Sequence, residues 1–340
     1  MKSIIVMTAL IPTTGHRDLV KWAVSIPGNN VTVLLNSLSR EPISGSLREL
    51  ALIEEFGNYS NVKIVHSKNN DAPQSPEDHE DFWNWWKNEI EVNCGKEWDF
   101  VIASESYGKP LADVLGAKFL PYDINRELNQ ARGTEVRGDI FERWEEILPA
   151  VQRKLHYSVG FFGQESVGKT TLSKMTAERF NSEWVFEYAR PYMESGHPVV
   201  TDDVMRNVFF GQSALQRKVK DLAKYPLACF DTDLFSTVGY YPIYTKNAVP
   251  SDLIRSALNL KMDVYYLLPD DIPLEPDPLR FGDGKRESTK NYWRILLEKY
   301  GLKYVEVPSG TTEEKLNFIQ HDIRGRLDER YASIRDFIRD

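Results

Sequence analysis

The sequence predicts an α/β protein made of two lobes, each with a mainly parallel sheet, and three observations carry that expectation. Short apolar strands alternate with amphipathic helices along the chain, the pattern of parallel sheets covered by helices. The strand–turn–helix opening near residue 3 is repeated near residue 157. The length, 340 residues, is about twice that of an ordinary single-core domain.

Taken in order, Ser3–Thr8 is an apolar run and reads as a strand, Ile11–His16 as a turn, and Arg17–Ser25 as a helix. Val31–Leu35 is the second strand, and Leu47–Phe56 has apolar residues at helical spacing. Val62–Val65 is a third strand. Phe82–Val92 is a helix dense in tryptophan, Phe100–Ala103 a strand, and Lys118–Pro121 a short strand. Gly133–Arg137 reads as a turn that opens another helix. The apolar residues Trp144, Ile147, Leu148 and Val151 predict one helix over 143–153, which places the domain boundary at 152/153.

The second lobe restarts with a strand over 156–162. It leads into Gly163-Gln164-Glu165-Ser166-Val167-Gly168-Lys169-Thr170, a full match to G-x-x-x-x-G-K-[ST], and then into a helix from Leu172. A glycine loop between strand and helix lets backbone N–H groups converge on an anion at a helix N-terminus. Lys169 adds a mobile charge, and Thr170 a hydroxyl for the magnesium ion that travels with ATP. Gly163, Glu165, Ser166, Gly168, Thr170 and Thr171 are therefore expected around a nucleoside triphosphate. Further strands are expected over 184–187, 227–231, 264–268 and 304–307, and a charged amphipathic helix over 313–340. Pro269–Gly284, rich in Pro, Asp and Gly, suits a lid over the site or a plain surface loop.

Composition narrows the function. With 41% hydrophobic residues, 27% charged and a net charge of −8, the chain is an unpromising binder of duplex nucleic acid. Its two cysteines, Cys94 and Cys229, have no metal-like spacing and suit a reducing compartment. No apolar run reaches the roughly 18 residues of a bilayer span, and the N-terminus lacks a signal-peptide pattern. A cytoplasmic protein is expected, with small-molecule partners, no nucleic acid and no membrane. A homo-oligomer is compatible with the sequence.

A second phosphate site is expected in the first lobe. Thr13-Thr14-Gly15-His16 follows the first strand: Gly15 permits close backbone approach, and His16 can donate a hydrogen bond to an oxyanion. Thr134 and Arg137 open a later helix where a triphosphate could be gripped, although Arg137 is also readable as a solvated helix charge.

The early T-x-G-H and late T-x-x-R resemble the nucleotidyltransferase superfamily that includes nicotinamide-mononucleotide adenylyltransferases. Followed by a Trp-containing segment and G-x-E-S-x-G-K-[ST], the order closely resembles the bifunctional nicotinamide-mononucleotide adenylyltransferase / ribosylnicotinamide kinase family (NadR-type). Many adenylyltransferases carry His where this chain has Thr13. The resemblance implies a Rossmann-like nucleotidyltransferase domain (1–152) and a P-loop kinase domain (153–340). Some members of the family carry an N-terminal helix-turn-helix; this chain opens on the transferase strand, and no repressor role is implied.

By resemblance, Thr13 and His16 contact the ATP phosphates, His16 stabilises charge as pyrophosphate leaves, and Thr134 and Arg137 hold the β- and γ-phosphates. Trp83 or Trp86 stacks on the nicotinamide, with both readable as core. Asp123 and Arg126 lie near the substrate, and Arg48 is a candidate for the mononucleotide phosphate. In the second lobe, Phe186-Glu187-Tyr188-Ala189-Arg190 resembles the family's W-E-Y-G-R-E segment, with Phe186 for Trp, Ala189 for Gly and Pro191 for the final Glu, which implies that Phe186, Tyr188 and Arg190 contact substrate. Glu187 is expected to bind the ribose and act as general base, the alternative being an ion-pair partner. Asp231 and Asp233 resemble a D-T-D segment: Asp231 with Thr170 on the metal, Asp233 toward substrate. Asp277-Pro278-Leu279-Arg280 resembles D-G-L-R, and Arg280 or Arg286 would close over the γ-phosphate. The implied reactions are phosphorylation of ribosylnicotinamide and adenylylation of the mononucleotide to NAD, with Mg2+ and ATP. The alternative is a working kinase joined to a nucleotide-sensing or differently specific first lobe.

Overall fold

The computed structural model describes residues 1–196, 199–273 and 291–337. Two compact units emerge, Met1–Lys154 together with the chain from Arg330 on, and Leu155–Glu329.

The first unit is built from β1 (Lys2–Met7), α1 (Thr14–Ser25), β2 (Asn30–Asn36), α2 (Gly45–Phe56), β3 (Val62–Ser67), α3 (Phe82–Cys94), β4 (Phe100–Ala103), α4 (Gly108–Leu115), β5 (Lys118–Pro121), α5 (Gly133–Gly138) and α6 (Pro149–Leu155). Its five strands are all parallel, in the order β3-β2-β1-β4-β5. Successive strand residues point to opposite faces, and the packing follows that alternation. Ile5 and Met7 pack with Leu19, Val20, Leu52 and Phe56 of α1 and α2. Ile4 and Val6 pack with Trp86 and Ile90 of α3 and with Leu111 of α4. Because helices cover both faces, β1 is buried from Ser3 to Met7, while the outer strands β3 and β5 stay half-exposed.

The second unit comprises β6 (Tyr157–Phe162), α7 (Lys169–Arg179), β7 (Glu183–Val185), α8 (Ala189–Glu194), α9 (Asp202–Leu222), β8 (Leu227–Phe230), α10 (Leu234–Thr245), α11 (Ser251–Asn259), β9 (Val264–Leu267), α12 (Tyr292–Lys299), β10 (Tyr304–Glu306) and all but the last turn of α13 (Thr312–Arg335), which from Arg330 counts with the first unit. Its strands are again all parallel, in the order β10-β9-β6-β8-β7. Every residue of the central strand β6 is buried. Tyr265 packs with Phe235 and Trp293 on one face, while its neighbour Tyr266 bonds Asp322 of α13 on the other.

The single helix expected over 143–153 is broken. Trp144–Glu146 forms one 3-10 turn, Ile147 is extended and bridges Thr13, and α6 starts only at Pro149. Proline disfavours the helical conformation in the residue before it and suits the first helical position, so Leu148 has to leave the helix. Its N–H goes to the Pro12 carbonyl at 2.9 Å, which ties this segment to the turn before α1.

No described helix is long and apolar enough to cross a membrane. Cys94 and Cys229 are free thiols.

Candidate functional site

Each sheet presents a crevice where its strand order reverses, outside the carboxyl ends of the strands, the usual place for ligands in open α/β sheets. In the second unit this lies between β6 and β8. The glycine loop after β6 needs left-handed backbone at Gly163 (φ 137°), Ser166 (φ 60°) and Gly168 (φ 87°). Two of these are glycines, for which positive φ carries no Cβ penalty. Gly168 caps α7, so Lys169 and Thr170 start the helix with their backbone N–H groups toward the loop. The Lys169 ammonium donates to the loop carbonyls of Gly163 (3.1 Å) and Gln164 (2.6 Å), held at the loop by local acceptors.

Thr170 Oγ1 donates to Asp231 Oδ2 at 2.7 Å, across from β6 to the end of β8. Asp231 is only 4% exposed. Burial, and then the neighbouring Glu187 carboxylate, push its pKa up to about 6, against the pull of Thr170, Lys169 and Arg190. Among the described residues no cluster of three or more His, Cys, Asp or Glu is arranged to hold a metal ion. The Thr170–Asp231 pair nevertheless offers two hard oxygen donors, which fits magnesium that arrives with a nucleotide and keeps its other ligands from phosphate and water.

These groups line a cavity of about 300 Å3, together with Glu165, Ser166, Gly168, Thr171, Glu187 and Arg190. Sequence reasoning did not find Gln212, Tyr240 and Tyr244, which also line it. They come from α9 and α10, where no motif marks them. Gln212 accepts from the Tyr188 N–H (2.9 Å) and donates to the Thr232 carbonyl (3.2 Å), joining the two strand ends that carry Glu187 and Asp231.

Three expected substrate contacts lie elsewhere. Asp233 is 1% exposed and caps α10: it accepts from the Ser236 N–H at 3.0 Å and from Tyr265 Oη at 2.6 Å, so its position is that of a structural acid. Phe186 is 40% exposed and off the cavity lining. Tyr188 turns its ring toward Tyr192 and onto Gly211. The lid residues Asp277–Arg280 and Arg286 lie outside the described residues.

In the first unit the crevice lies between β1 and β4, and its cavity of about 920 Å3 is bounded by Thr8, Thr13, Gly15 and His16 on one side and Ser104–Tyr107 on the other. Thr13 caps α1, and His16, three residues on, reaches back like the glutamate of a capping box. His16 Nδ1 accepts the Thr13 N–H at 3.1 Å and lies 2.8 Å from Thr13 Oγ1. A neutral imidazole with an accepting Nδ1 carries its proton on Nε2. Burial, then the Arg126 guanidinium, lower the His16 pKa to about 4, so the ring stays neutral. A Cβ on Gly15 would come within 2.7 Å of the Ala131 carbonyl, so only glycine lets the 131–134 loop close over the turn.

Trp83, Trp86, Arg126 and Thr134 line the same cavity, as do Phe82, Tyr107 and Arg132, which sequence reasoning missed. Trp86 is also core: it is 7% exposed, with Nε1 donating to the Pro73 carbonyl at 3.2 Å. Trp83 is half-buried, its ring edge-on to Phe82 at 4.9 Å. Thr14 takes a hydrogen bond from Asn129 (3.4 Å) and stands off the lining.

Arg48, Asp123 and Arg137 are not brought to the cavity wall. Arg48 is fully buried, pairing with Glu41 and donating to the Thr8 carbonyl at 2.6 Å. Asp123 accepts backbone N–H groups of Glu127 (2.8 Å) and Asn129 (2.9 Å), so it shapes the loop that carries Arg126. Arg137 donates to the Phe337 carbonyl at 3.0 Å. A Ser37–His66–Glu49 chain, with contacts of 2.7 and 2.8 Å, has the order of a hydrolytic triad but lines neither cavity.

Comparison with known proteins agrees with the two-lobed fold. Residues 158–315 match a family model described as an AAA domain. The chain is 26% identical to the trifunctional NAD biosynthesis/regulator protein NadR of Salmonella typhimurium, over 80% of this chain and 67% of that one. It is likewise 26% identical to the Escherichia coli protein of the same name, over 75% of this chain and 63% of the relative. The match thus spans about two thirds of those curated relatives. Among solved structures, a NadR protein in complex with NR matches with a TM-score of 0.62 at 20% identity, covering 95% of each chain. A NadR protein in complex with NAD and AMP-PNP matches with the same TM-score and identity, covering 100% of this chain and 97% of that one. In sequence, at 26% identity, and in fold, through both of its lobes, the chain is similar to NadR proteins.

Proposed function

We propose that the chain is a bifunctional enzyme of pyridine-nucleotide salvage. The second lobe would phosphorylate ribosylnicotinamide with ATP, and the first would couple the resulting mononucleotide to a second ATP, giving NAD and pyrophosphate. The observation that carries this reading is the convergence of the P-loop, Thr170, Asp231 and Glu187 on one cavity. The NR, NAD and AMP-PNP held by structures of like fold support the substrate assignment.

In the kinase reaction the 5′-hydroxyl oxygen of the riboside bonds to the γ-phosphorus, and the bond from that phosphorus to the β–γ bridging oxygen breaks, releasing ADP. Glu187 takes the hydroxyl proton. Lys169 leaves the Gly163 and Gln164 carbonyls for the phosphates. Magnesium, held by Thr170 Oγ1 and Asp231, would neutralise charge on the phosphate oxygens. The rest of the catalysis is positioning, as is usual in phosphoryl transfer.

In the first lobe a phosphate oxygen of the mononucleotide attacks the α-phosphorus and pyrophosphate leaves. His16 is held with Nε2–H as its free donor, and a neutral donor aimed at a developing oxyanion stabilises the transition state without taking a proton. Trp83 offers an indole face to the cationic pyridinium, and Arg126 and Thr134 would bind phosphate.

One observation favours a narrower reading, in which the first lobe senses nucleotide without turnover: Arg137, expected to hold the triphosphate, is engaged by the Phe337 carbonyl. Mass spectrometry of products from the full chain with ribosylnicotinamide and Mg-ATP separates these. Mononucleotide plus NAD is expected; mononucleotide alone supports the sensing lobe, and neither product refutes both.

A further inference from the structure

The cavity of the first unit contains a cation that its expected phosphate grip does not use. Arg137 lies off the lining, half-buried, with Nη1 donating to the Phe337 carbonyl at 3.0 Å. Among the described residues that line the cavity, the cationic side chains are Arg126 and Arg132. His16, held neutral, offsets no anionic charge. Arg126 is half-buried, with Nη2 3.5 Å from the Glu105 carboxylate. Arg132 is placed differently. Its side chain is 55% exposed, and its ion pair with Glu135 is loose, at 3.8 Å. The other oxygen of Glu135 holds Arg143 at 2.9 Å, so Glu135 keeps a partner when Arg132 swings away. The backbone on either side of Arg132 is fixed against the turn that carries His16. The Ala131 carbonyl lies against Gly15, and a Cβ on Gly133 would stand 3.9 Å from His16 Cε1, the carbon bonded to Nε2.

We infer that Arg132, and not Arg137, is the cation that grips the polyphosphate tail of the nucleoside triphosphate in the first unit, while Arg137 anchors the end of the chain to α5. The inference rests on the proposed transferase reading and replaces one of its expected residues. A guanidinium makes paired, charge-assisted hydrogen bonds to phosphate oxygens. Exchanging an exposed 3.8 Å ion pair for phosphate costs little, because such a pair contributes little in water. Turning Arg137 to the cavity would instead take its donor from the Phe337 carbonyl. An engaged Arg137 is then compatible with turnover, since the charge expected of it comes from Arg132.

The test is calorimetric titration of inorganic pyrophosphate into the full chain, in a Lys169→Ala background that weakens the hold of the second cavity on phosphate. Adding Arg132→Gln is expected to weaken pyrophosphate binding by at least about tenfold. Arg132→Lys keeps the charge and loses the paired geometry, so its affinity should fall between the two. Arg137→Met is expected to bind within about twofold of the parent while its thermal melt drops. Binding unchanged within about twofold in Arg132→Gln, no pyrophosphate binding by the parent, or an equal loss in a folded Arg137→Met overturns the assignment. Where Arg137→Met does not fold, Arg132→Gln alone decides. NAD formation from mononucleotide and Mg-ATP, with Lys169 intact, is a separate readout. There Arg132→Gln should raise the KM for ATP at least about tenfold. Pyrophosphate binding that depends on Arg132, with no NAD formed by the wild type, leaves the assignment standing and refutes the transferase reading. NAD formation with an unchanged KM for ATP in Arg132→Gln does the reverse.

Discussion

The cavity at the end of β1 and the cavity at the end of β6 occupy the same place in two similar five-stranded sheets, yet they are built from different chemistry. The β6 site is about 300 Å3 and dense in charge, with Lys169 on the glycine loop and Asp231 and Glu187 on neighbouring strand ends. The β1 site is about 920 Å3, walled by Phe82, Trp83 and Trp86, and its central polar group is a neutral histidine. The difference fits the reactions proposed. Phosphorylating a hydroxyl requires a base and a metal-side acid, whereas coupling an existing phosphate to an α-phosphorus moves no proton and requires room for two nucleotides. Sheet topology fixes where a ligand sits; the residues at the strand ends decide what happens to it.

The largest effect should come from Lys169→Ala, which is expected to lower riboside phosphorylation by at least 100-fold, on the order of what losing a placed charge costs. Conversion of supplied mononucleotide to NAD should be unchanged in the same preparation. If both activities disappear from a folded variant, the two cavities do not work independently.

Next comes His16→Ala, expected to lower NAD formation from mononucleotide by roughly 100- to 1,000-fold while sparing the kinase. Thr13→Val removes only the hydroxyl beside Nδ1, and the backbone N–H still orients the ring. A loss of no more than about tenfold in that assay is therefore expected; a loss equal to that of His16→Ala would mean that Thr13 itself acts on the phosphates.

The pH profiles should divide the two sites more gently. Asp231 must be ionised to hold a metal, and its pKa is raised to about 6. Riboside phosphorylation should therefore fall about tenfold per unit as pH drops below that value. His16, lowered to about 4, stays neutral throughout, so NAD formation should show no imidazole step between pH 5.5 and 8. The same shift affects stability. Below pH 6.5 the unfolded chain gains a proton that folded His16 refuses, so this contribution is lost as pH falls from 6.5 through about 4. A step in NAD formation near 6.5 that is present in the wild type and absent from His16→Gln, where the substrate phosphates still titrate, would show that His16 works as a cation.

Arg48→Met should have the smallest effect on catalysis. Leaving Glu41 buried without its partner is expected to destabilise the fold by about 3–5 kcal/mol, read by denaturant unfolding. The KM for mononucleotide should change less than about twofold, since Arg48 does not reach the cavity. A large rise in KM would return it to the substrate.

Much of this was legible along the chain. Two parallel sheets follow from alternating apolar strands and helices, and the loop Gly163–Thr170 lies, as its glycine, lysine and threonine spacing suggested, between β6 and α7. Thr13 to His16 is likewise a local pattern, four consecutive residues at the start of α1. Arg48, Asp123 and Asp233 were expected near substrate, and the structure places them in a buried pair, a loop and a helix cap; a charged residue near a motif looks the same along the chain in any of these settings. Leu148 left its helix for a local reason, Pro149, whose weight was outmatched by apolar spacing.

Local order in the chain thus decided the strands, the helices and the turns that open α1 and α7, because backbone conformation and hydrogen-bond geometry are set by near neighbours. Only folding decided that α10 would bring Tyr244 to Glu165, 79 residues away, that burial and then Arg126 would hold His16 neutral, and that burial and then Glu187 would raise Asp231. Each of those depends on burial and on charges brought together from distant segments, and neither has a signature in local sequence.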